Sequence, residues 1–251
     1  KEAGKECIVK VLSPDHFTYM LIGMTIIRVE RRAKYIYMTL TKDGETYLLA
    51  SHLGMSGAWF DVEKLSDIPD AKYEKHAHVI LTMSNGRLLV YSDIRRFGEL
   101  RLLREEADYR PLLLMAPEPF EAHACDYFLQ KAATKKYANK PIKAVIMDGH
   151  VISGCGNIYA TEALYLEHIR PQTVTNTLSE EQKRALFAQI VRILQESIEA
   201  GGSTISDYRN VNGEAGGMQH RLKMYGKKQC ACGAATESLT IAGRTSVYCP
   251  A

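Results

Sequence analysis

Apolar and polar positions alternate over most of residues 24–103. In "KYIYMTL", Ile36, Met38 and Leu40 take turns with Tyr35, Tyr37 and Thr39, the period of a half-buried strand. "KDG" at 42–44 turns the chain and "TYLLASH" returns. "HVILTM" and "RLLVYSD" flank "SNG" at 84–86. Asn-Gly between such runs predicts a hairpin with a type I′ turn, whose two central residues both take positive φ. The first half therefore reads as antiparallel sheet.

The period changes after "APEPFE" at 116–121, where two prolines break the pattern and mark a domain boundary. "NKPIKAVIMDGH" reads as a helix with Pro141 in its first turn, ending at Asp148-Gly149. "NIYATEALYLEHI" is a second helix. "SEEQKRALFAQIVRILQESIEAGG" is a third: Ser179 and Gln182 form a capping box, Leu186, Ile190, Leu194 and Ile198 form the apolar stripe, and Gly201-Gly202 end it. The tail after Gly226 reads as a short, cysteine-bearing hairpin.

Composition changes this picture little. The 251 residues suffice for two ordinary domains, and the formal net charge of +3 selects no partner. No apolar run approaches the ~20 residues of a membrane helix, and no secretory pattern opens the chain, so a cytosolic protein is expected. Cysteines stand at 7, 125, 155, 230, 232 and 249; the scattered ones fit a reducing compartment, and the terminal cluster suggests a metal.

One stretch carries candidate chemistry. "GHVISGCG" separates the first two helices, and Gly154 and Gly156 let an anionic group approach the backbone there. The next helix adds free N–H groups and its positive dipole end. Asn157 has three possible uses: capping that helix, donating to a phosphate oxygen, or both. Ordinary helix turns also use glycine and asparagine.

"MDGHVIS" followed by "GCGNIYATEAL" resembles the helix–two-turn–helix of the formamidopyrimidine-DNA glycosylases. "RRAKYIYMTL", "SHLGMSGAWF", "HAHVILTMSNGRLLVYSDIRRFGEL", "APEPF", "GGSTISDY" and "AGRTSVYCP" match that family too, in its order, over most of the chain. The resemblance implies an α+β protein. Residues 1–118 would form an N-terminal antiparallel β-sandwich domain, and 119–251 a helical domain with the helix–two-turn–helix, a lesion-capping loop at about 203–224 and a zinc-finger hairpin at about 227–251. It implies a base-excision repair enzyme, cytosolic and monomeric, that flips oxidised purines such as 8-oxoguanine and formamidopyrimidines out of double-stranded DNA. The same enzyme would cleave the abasic site by Schiff-base chemistry with β,δ-elimination. Two alternatives are a damage-binding protein without catalysis and an endonuclease VIII-like enzyme for oxidised pyrimidines; "GNIY" and "RRFG" favour the purine enzyme.

Site residues follow from the resemblance. Lys34, His52, Asn157 and Arg244 would clamp the phosphates flanking the flipped nucleotide, with Lys34 also in the catalytic centre and Arg96 a neighbouring phosphate contact. Met55, Arg95 and Phe97 would fill the void left by the flipped base, Arg95 reading the orphaned partner. Alone, Lys34 would be a solvated strand charge, and His52, Met55 and Phe97 would be core residues. Ser203, Thr204, Ile205, Tyr208 and Tyr225 belong to the implied capping loop, made flexible by Gly213, Gly216 and Gly217. Lys140 would lie near the damaged base.

Cys230, Cys232 and Cys249 would hold one structural Zn²⁺. The family uses two Cys-x-x-Cys pairs; here one residue separates Cys230 from Cys232, and the fourth cysteine is due just after Ala251. The family nucleophile is an N-terminal proline amine, followed by a glutamate that handles protons. The present sequence opens "KEAGKECIVKV", without that proline, and Glu2 is not that glutamate. Three explanations stand: residues of the protein missing from these 251, an engineered fragment, or a natural lack of the family's N-terminal helix; short spacings at Val11–Ser13, at Cys230–Cys232 and at both ends fit the first.

Overall fold

A computed structural model describes residues 8–203 and 213–251. The chain forms two compact units, Lys1–Leu113 with Gly201–Gly217, and Leu114–Ala200 with Met218–Ala251. Of the segment expected as a capping loop, Ser203 and residues 213–217 thus group with the N-terminal unit.

In the first unit, Ser13 caps helix α1 (Pro14–Leu21), its hydroxyl accepting from the His16 amide at 3.2 Å. Seven strands follow: β1 (Thr25–Arg32), β2 (Tyr35–Lys42), β3 (Glu45–His52), β4 (Gly57–Val62), β5 (Ala77–Thr82), β6 (Leu88–Asp93) and β7 (Glu99–Leu103). Two short helices, α2 (Ala71–Lys75) and α3 (Arg110–Leu113), complete it. The strands make two sheets, ordered β1-β2-β3-β7 and β4-β6-β5, each pairing antiparallel. Met38, Leu40, Leu49 and Leu100 of the first sheet share a core with Trp59 and Tyr91 of the second. Trp59 Nε1 donates to Ser51 Oγ at 3.0 Å across it, so the buried indole is satisfied. This is the expected sandwich.

The turn chemistry differs from expectation. At 84–86 only Gly86 has positive φ (82°), and the chain closes with Gly86 N to Met83 O and Met83 N to Arg87 O. That is a three-residue loop with a glycine bulge, not a type I′ turn. The positive pair lies instead at Asp43 (53°) and Gly44 (79°), between the paired residues Lys42 and Glu45. Val11, β-branched, also takes positive φ (76°), in the short connection before α1. Such a conformation costs a β-branched residue about 1–3 kcal/mol.

The second unit holds α4 (Ala124–Ala132), α5 (Ile142–Ile146), α6 (Asn157–Leu166), α7 (Glu180–Glu199), and a hairpin of β8 (Glu237–Ile241) and β9 (Arg244–Tyr248). Ser179 and Gln182 form the expected capping box on α7. Its buried face runs through Leu186, Phe187, Ile190, Ile193 and Ser197, while Leu194 is half-buried and Ile198 is 51% exposed. Steps of four residues drift by about 40° on a helix of 3.6 residues per turn, so a strict four-residue stripe rotates off the core within three steps. Helix α6 packs in the middle of this unit, with Ala160, Ala163 and Leu164 in the core.

Candidate nucleic-acid interface and metal centre

In the first unit, residues 52–57 and 93–98 form a clasp. Asp93 is fully buried; its carboxylate accepts from Ser56 Oγ at 2.6 Å, Gly98 N at 2.7 Å and Arg95 N at 3.2 Å. The fully buried Ser56 Oγ accepts from Arg95 N at 2.9 Å. The backbones touch: a Cβ on Gly54 would lie 2.5 Å from the Phe97 carbonyl carbon, and one on Gly98 would lie 2.8 Å from the His52 carbonyl oxygen. No L side chain fits at such distances, which explains "HLGMSG" beside "RRFG".

This clasp turns its large side chains outward. Met55 is 51% and Phe97 59% exposed, and the Arg95 guanidinium lies 4.9 Å from the Phe97 ring centre. Neither apolar residue belongs to the core, as each would if it served packing alone. Arg96 is exposed and held at φ 56°. A buried anionic tie beneath and apolar side chains above is the reverse of ordinary packing.

Lys34, exposed, follows Ala33 (φ 51°) in the β1–β2 turn. Beside it Tyr35 pairs with His52 in register, their rings 4.9 Å apart. The Gly54 amide donates to His52 Nδ1 at 3.1 Å, so the neutral ring carries its proton on Nε2 and is a donor there. Burial, with Lys34 adding to it, holds the His52 imidazolium below its usual range, against the pull of Glu99. Glu99 sits under this corner, 2.9 Å from Arg101 and 3.3 Å from both the Tyr35 and Tyr109 hydroxyls. Burial works to raise its carboxyl, but Arg101, His52 and Tyr109 outweigh it and keep Glu99 below the usual range.

In the second unit, Gly156 takes the N-cap position of α6 and Asn157 is its first residue; no side chain caps that end. Asn157 is therefore not the cap. Its Nδ2 donates to the Thr245 carbonyl at 3.1 Å, next to Arg244, while its buried Oδ1 has no hydrogen-bond partner. One Nδ2 hydrogen remains for another acceptor. Arg244 is exposed at the start of β9. The helix amides, Asn157 and Arg244 are thereby grouped.

Cys230, Cys232 and Cys249 place three sulfurs within 4.8 Å of one another, with Cys232 and Cys249 3.6 Å apart. Tetrahedral zinc–thiolate bonds of about 2.3 Å put sulfurs about 3.8 Å apart, so the spacing and the all-sulfur donor set fit Zn²⁺. The Tyr165 hydroxyl, then the Cys232 amide, draw the Cys230 thiol down to about 6; the Cys230 sulfur in turn pushes Cys249 up to about 11.

Ser203 is half-buried, and Thr204, Ile205 and Tyr208 lie outside the described residues. Gly216 presses against the backbone of Gly202, since a Cβ there would sit 2.2 Å from the Gly202 oxygen; close approach, as well as freedom, calls for glycine. Tyr225 is half-buried. Lys140 Nζ lies 5.3 Å from the Tyr137 ring centre.

Sequence reasoning missed three buried charges. Asp93 is one. Glu162, 3% exposed, accepts from three successive amides, Lys223 N at 2.6 Å, Met224 N at 2.9 Å and Tyr225 N at 2.6 Å. Lys143, fully buried, donates to Thr161 Oγ at 2.8 Å, and burial draws it down to about 8 although Cys155 opposes this. A carboxylate inside the apolar run "NIYATEAL" was a legible cue.

Proteins of known family resemble this chain over most of its length. Residues 2–100 match the family model described as formamidopyrimidine-DNA glycosylase N-terminal domain, and residues 115–209 match its H2TH domain. The chain is 41% identical over 234 residues to a formamidopyrimidine-DNA glycosylase of Acinetobacter baylyi, covering 92% of this chain and 82% of that one. A Bacillus cereus protein of the same name is 36% identical over 239 residues, covering 93% and 83%. Among solved structures, MutM (Fpg) from Thermus thermophilus superposes with a TM-score of 0.80 at 33% identity, over 97% of this chain and 86% of that one. Lactococcus lactis Fpg in complex with abasic-site DNA gives 0.78 at 33% identity, over 94% and 84%.

Proposed function

The chain belongs to the formamidopyrimidine-DNA glycosylase family, and on that premise we propose that it is a base-excision repair glycosylase for oxidised purines, with abasic-site lyase activity. The observation that carries this reading is the clasp, which spends buried Asp93 and Ser56 to hold Met55, Arg95 and Phe97 outward. Extruding a base costs a few kcal/mol of pairing and stacking. Apolar wedges that enter the gap offset this, and the Arg95 fork donates to the edge of the orphaned base.

Lys34, Nε2–H of His52, and Arg96 bind backbone phosphates from the first unit. Asn157, the uncapped amides of α6, and Arg244 do so from the second. Ser203, Thr204, Ile205, Tyr208 and Tyr225 serve the flipped base, and Lys140 lies near it. Cys230, Cys232 and Cys249 would hold Zn²⁺, which would fix the hairpin that carries Arg244. In the chemistry proposed for the whole protein, an amine attacks C1′ as the damaged base departs with its bonding electrons and a proton. The amine loses its proton, the C1′–O4′ bond then opens with O4′ taking a proton, and the iminium so formed loses a C2′ proton and expels the 3′ phosphate by β-elimination, with δ-elimination of the 5′ phosphate following. The family's N-terminal proline is not among the 251 residues. As a repair enzyme of DNA the protein is proposed to act as a monomer in the bacterial cytosol.

Borohydride trapping of the full-length protein on duplex DNA with 8-oxoguanine opposite cytosine tests this. A covalent adduct is expected. Tight lesion binding with no adduct would establish a damage-binding protein instead.

A further inference from the structure

Helix α6 meets the cysteine-bearing hairpin at both ends. At its first residue, Asn157 Nδ2 donates to the Thr245 carbonyl. One residue from its last, the Tyr165 hydroxyl lies 3.4 Å from Cys230 Sγ. Just beyond, Arg170 donates to the Pro250 carbonyl at 2.7 Å, next to Cys249. The helix is thus a strut along which the cysteine cluster and Arg244 are both positioned.

We infer that Tyr165 donates a hydrogen bond to the metal-bound Cys230 thiolate, is thereby a positioning residue of the metal centre, and couples metal retention to the placement of Arg244. This rests on the zinc reading given above. A metal-bound thiolate has no proton, so the phenol must be the donor. Three thiolates around one divalent ion leave excess negative charge, and a donor to sulfur draws some of it away. Groups that orient metal ligands from behind commonly change metal affinity 10–100-fold when removed. Position adds a second effect. A cavity of about 260 Å³ opens beside the cluster, lined by Tyr165, His168, Tyr248 and the three cysteines. Tyr165 therefore stands at the edge of the space through which water or a chelator reaches the Cys230 sulfur.

The test compares zinc-loaded parent and Tyr165→Phe, which keeps the ring and removes only the donor. Zinc release to a chromogenic chelator is expected to be about tenfold faster in the variant. Affinity for an abasic-site duplex at fixed salt should fall as zinc leaves, and excess zinc should restore it. Equal release rates overturn the proposal. Cobalt-substituted protein distinguishes a lost bond from a merely looser fold, because losing a donor raises the sulfur lone pair. The sulfur-to-cobalt charge-transfer band then moves to lower energy, and a band at the parent position overturns the proposal even if release is faster. A full-length parent that binds no zinc by elemental analysis sinks the metal reading, and this inference with it.

Discussion

The clasp of the first unit and the strut-and-hairpin of the second both hold out side chains suited to DNA, but they are fixed in different ways. The clasp is fixed from within: a buried carboxylate, a buried hydroxyl and backbones too close for a Cβ. The hairpin has only two strands, which alone are marginal in water, and its turn end carries Arg244. It leans on α6 through Asn157 and Tyr165 and on its cysteine cluster. On the proposed function, a rigid display would suit wedges that push into a base stack, and a display tied to a metal would make a grip on the DNA backbone removable.

The largest expected effect breaks this contrast directly. Cys249→Ser removes a metal ligand from the second unit and leaves the clasp intact. Abasic-site binding should weaken on the order of 100-fold, because the hairpin and its phosphate contacts go together. Binding at the parent level by the zinc-free variant would show that the hairpin stands without metal.

Gly54→Ala attacks the clasp instead. Its Cβ would meet the Phe97 backbone at 2.5 Å, and φ is 62°. A loss of about 2–4 kcal/mol in urea unfolding is expected, with zinc content unchanged. A loss below about 0.5 kcal/mol would mean the two loops are not interlocked.

Arg244→Ala sharpens the second half. Abasic-site affinity should fall by about 1–3 kcal/mol at fixed salt, with the thermal midpoint kept. Equal affinity for parent and variant removes Arg244 from the interface.

The smallest stability effects are expected at the wedge. Phe97→Ala should cost under about 1 kcal/mol of folding stability, since a 59% exposed ring leaves no core cavity, yet lesion binding should drop. Arg95→Ala should relax discrimination between cytosine and adenine opposite 8-oxoguanine. A folding loss of about 3–5 kcal/mol for Phe97→Ala would return that residue to the core.

Much was legible in the chain. Alternation in "KYIYMTL" and "HVILTM" placed strands, and the capping box at Ser179 and Gln182 placed the start of α7. These features are local, set by the two-residue and 3.6-residue periods and by a side chain reaching its own backbone. The motif strings supplied the candidate site residues on which the proposed function rests. Turn type was not legible: Asp43-Gly44 took the two positive φ values expected at Asn85-Gly86. Asn-Gly and Asp-Gly suit either loop, and the pairing register chooses between them.

What the sequence alone determined was which segments are strand or helix, where the period changes, and which residue types were available for phosphate, base and metal. Tertiary structure decided which of these face outward and what holds them. Phe97 and Met55 have the composition of core residues and are exposed on the outside of a clasp whose two backbones are in close contact. Asp93, Glu162 and Lys143 have the composition of surface residues; Glu162 is met in the interior by the amides of Lys223, Met224 and Tyr225, and Asp93 by the Ser56 hydroxyl, all distant in sequence. Such convergence depends on contacts between residues far apart in the chain, which no local period encodes.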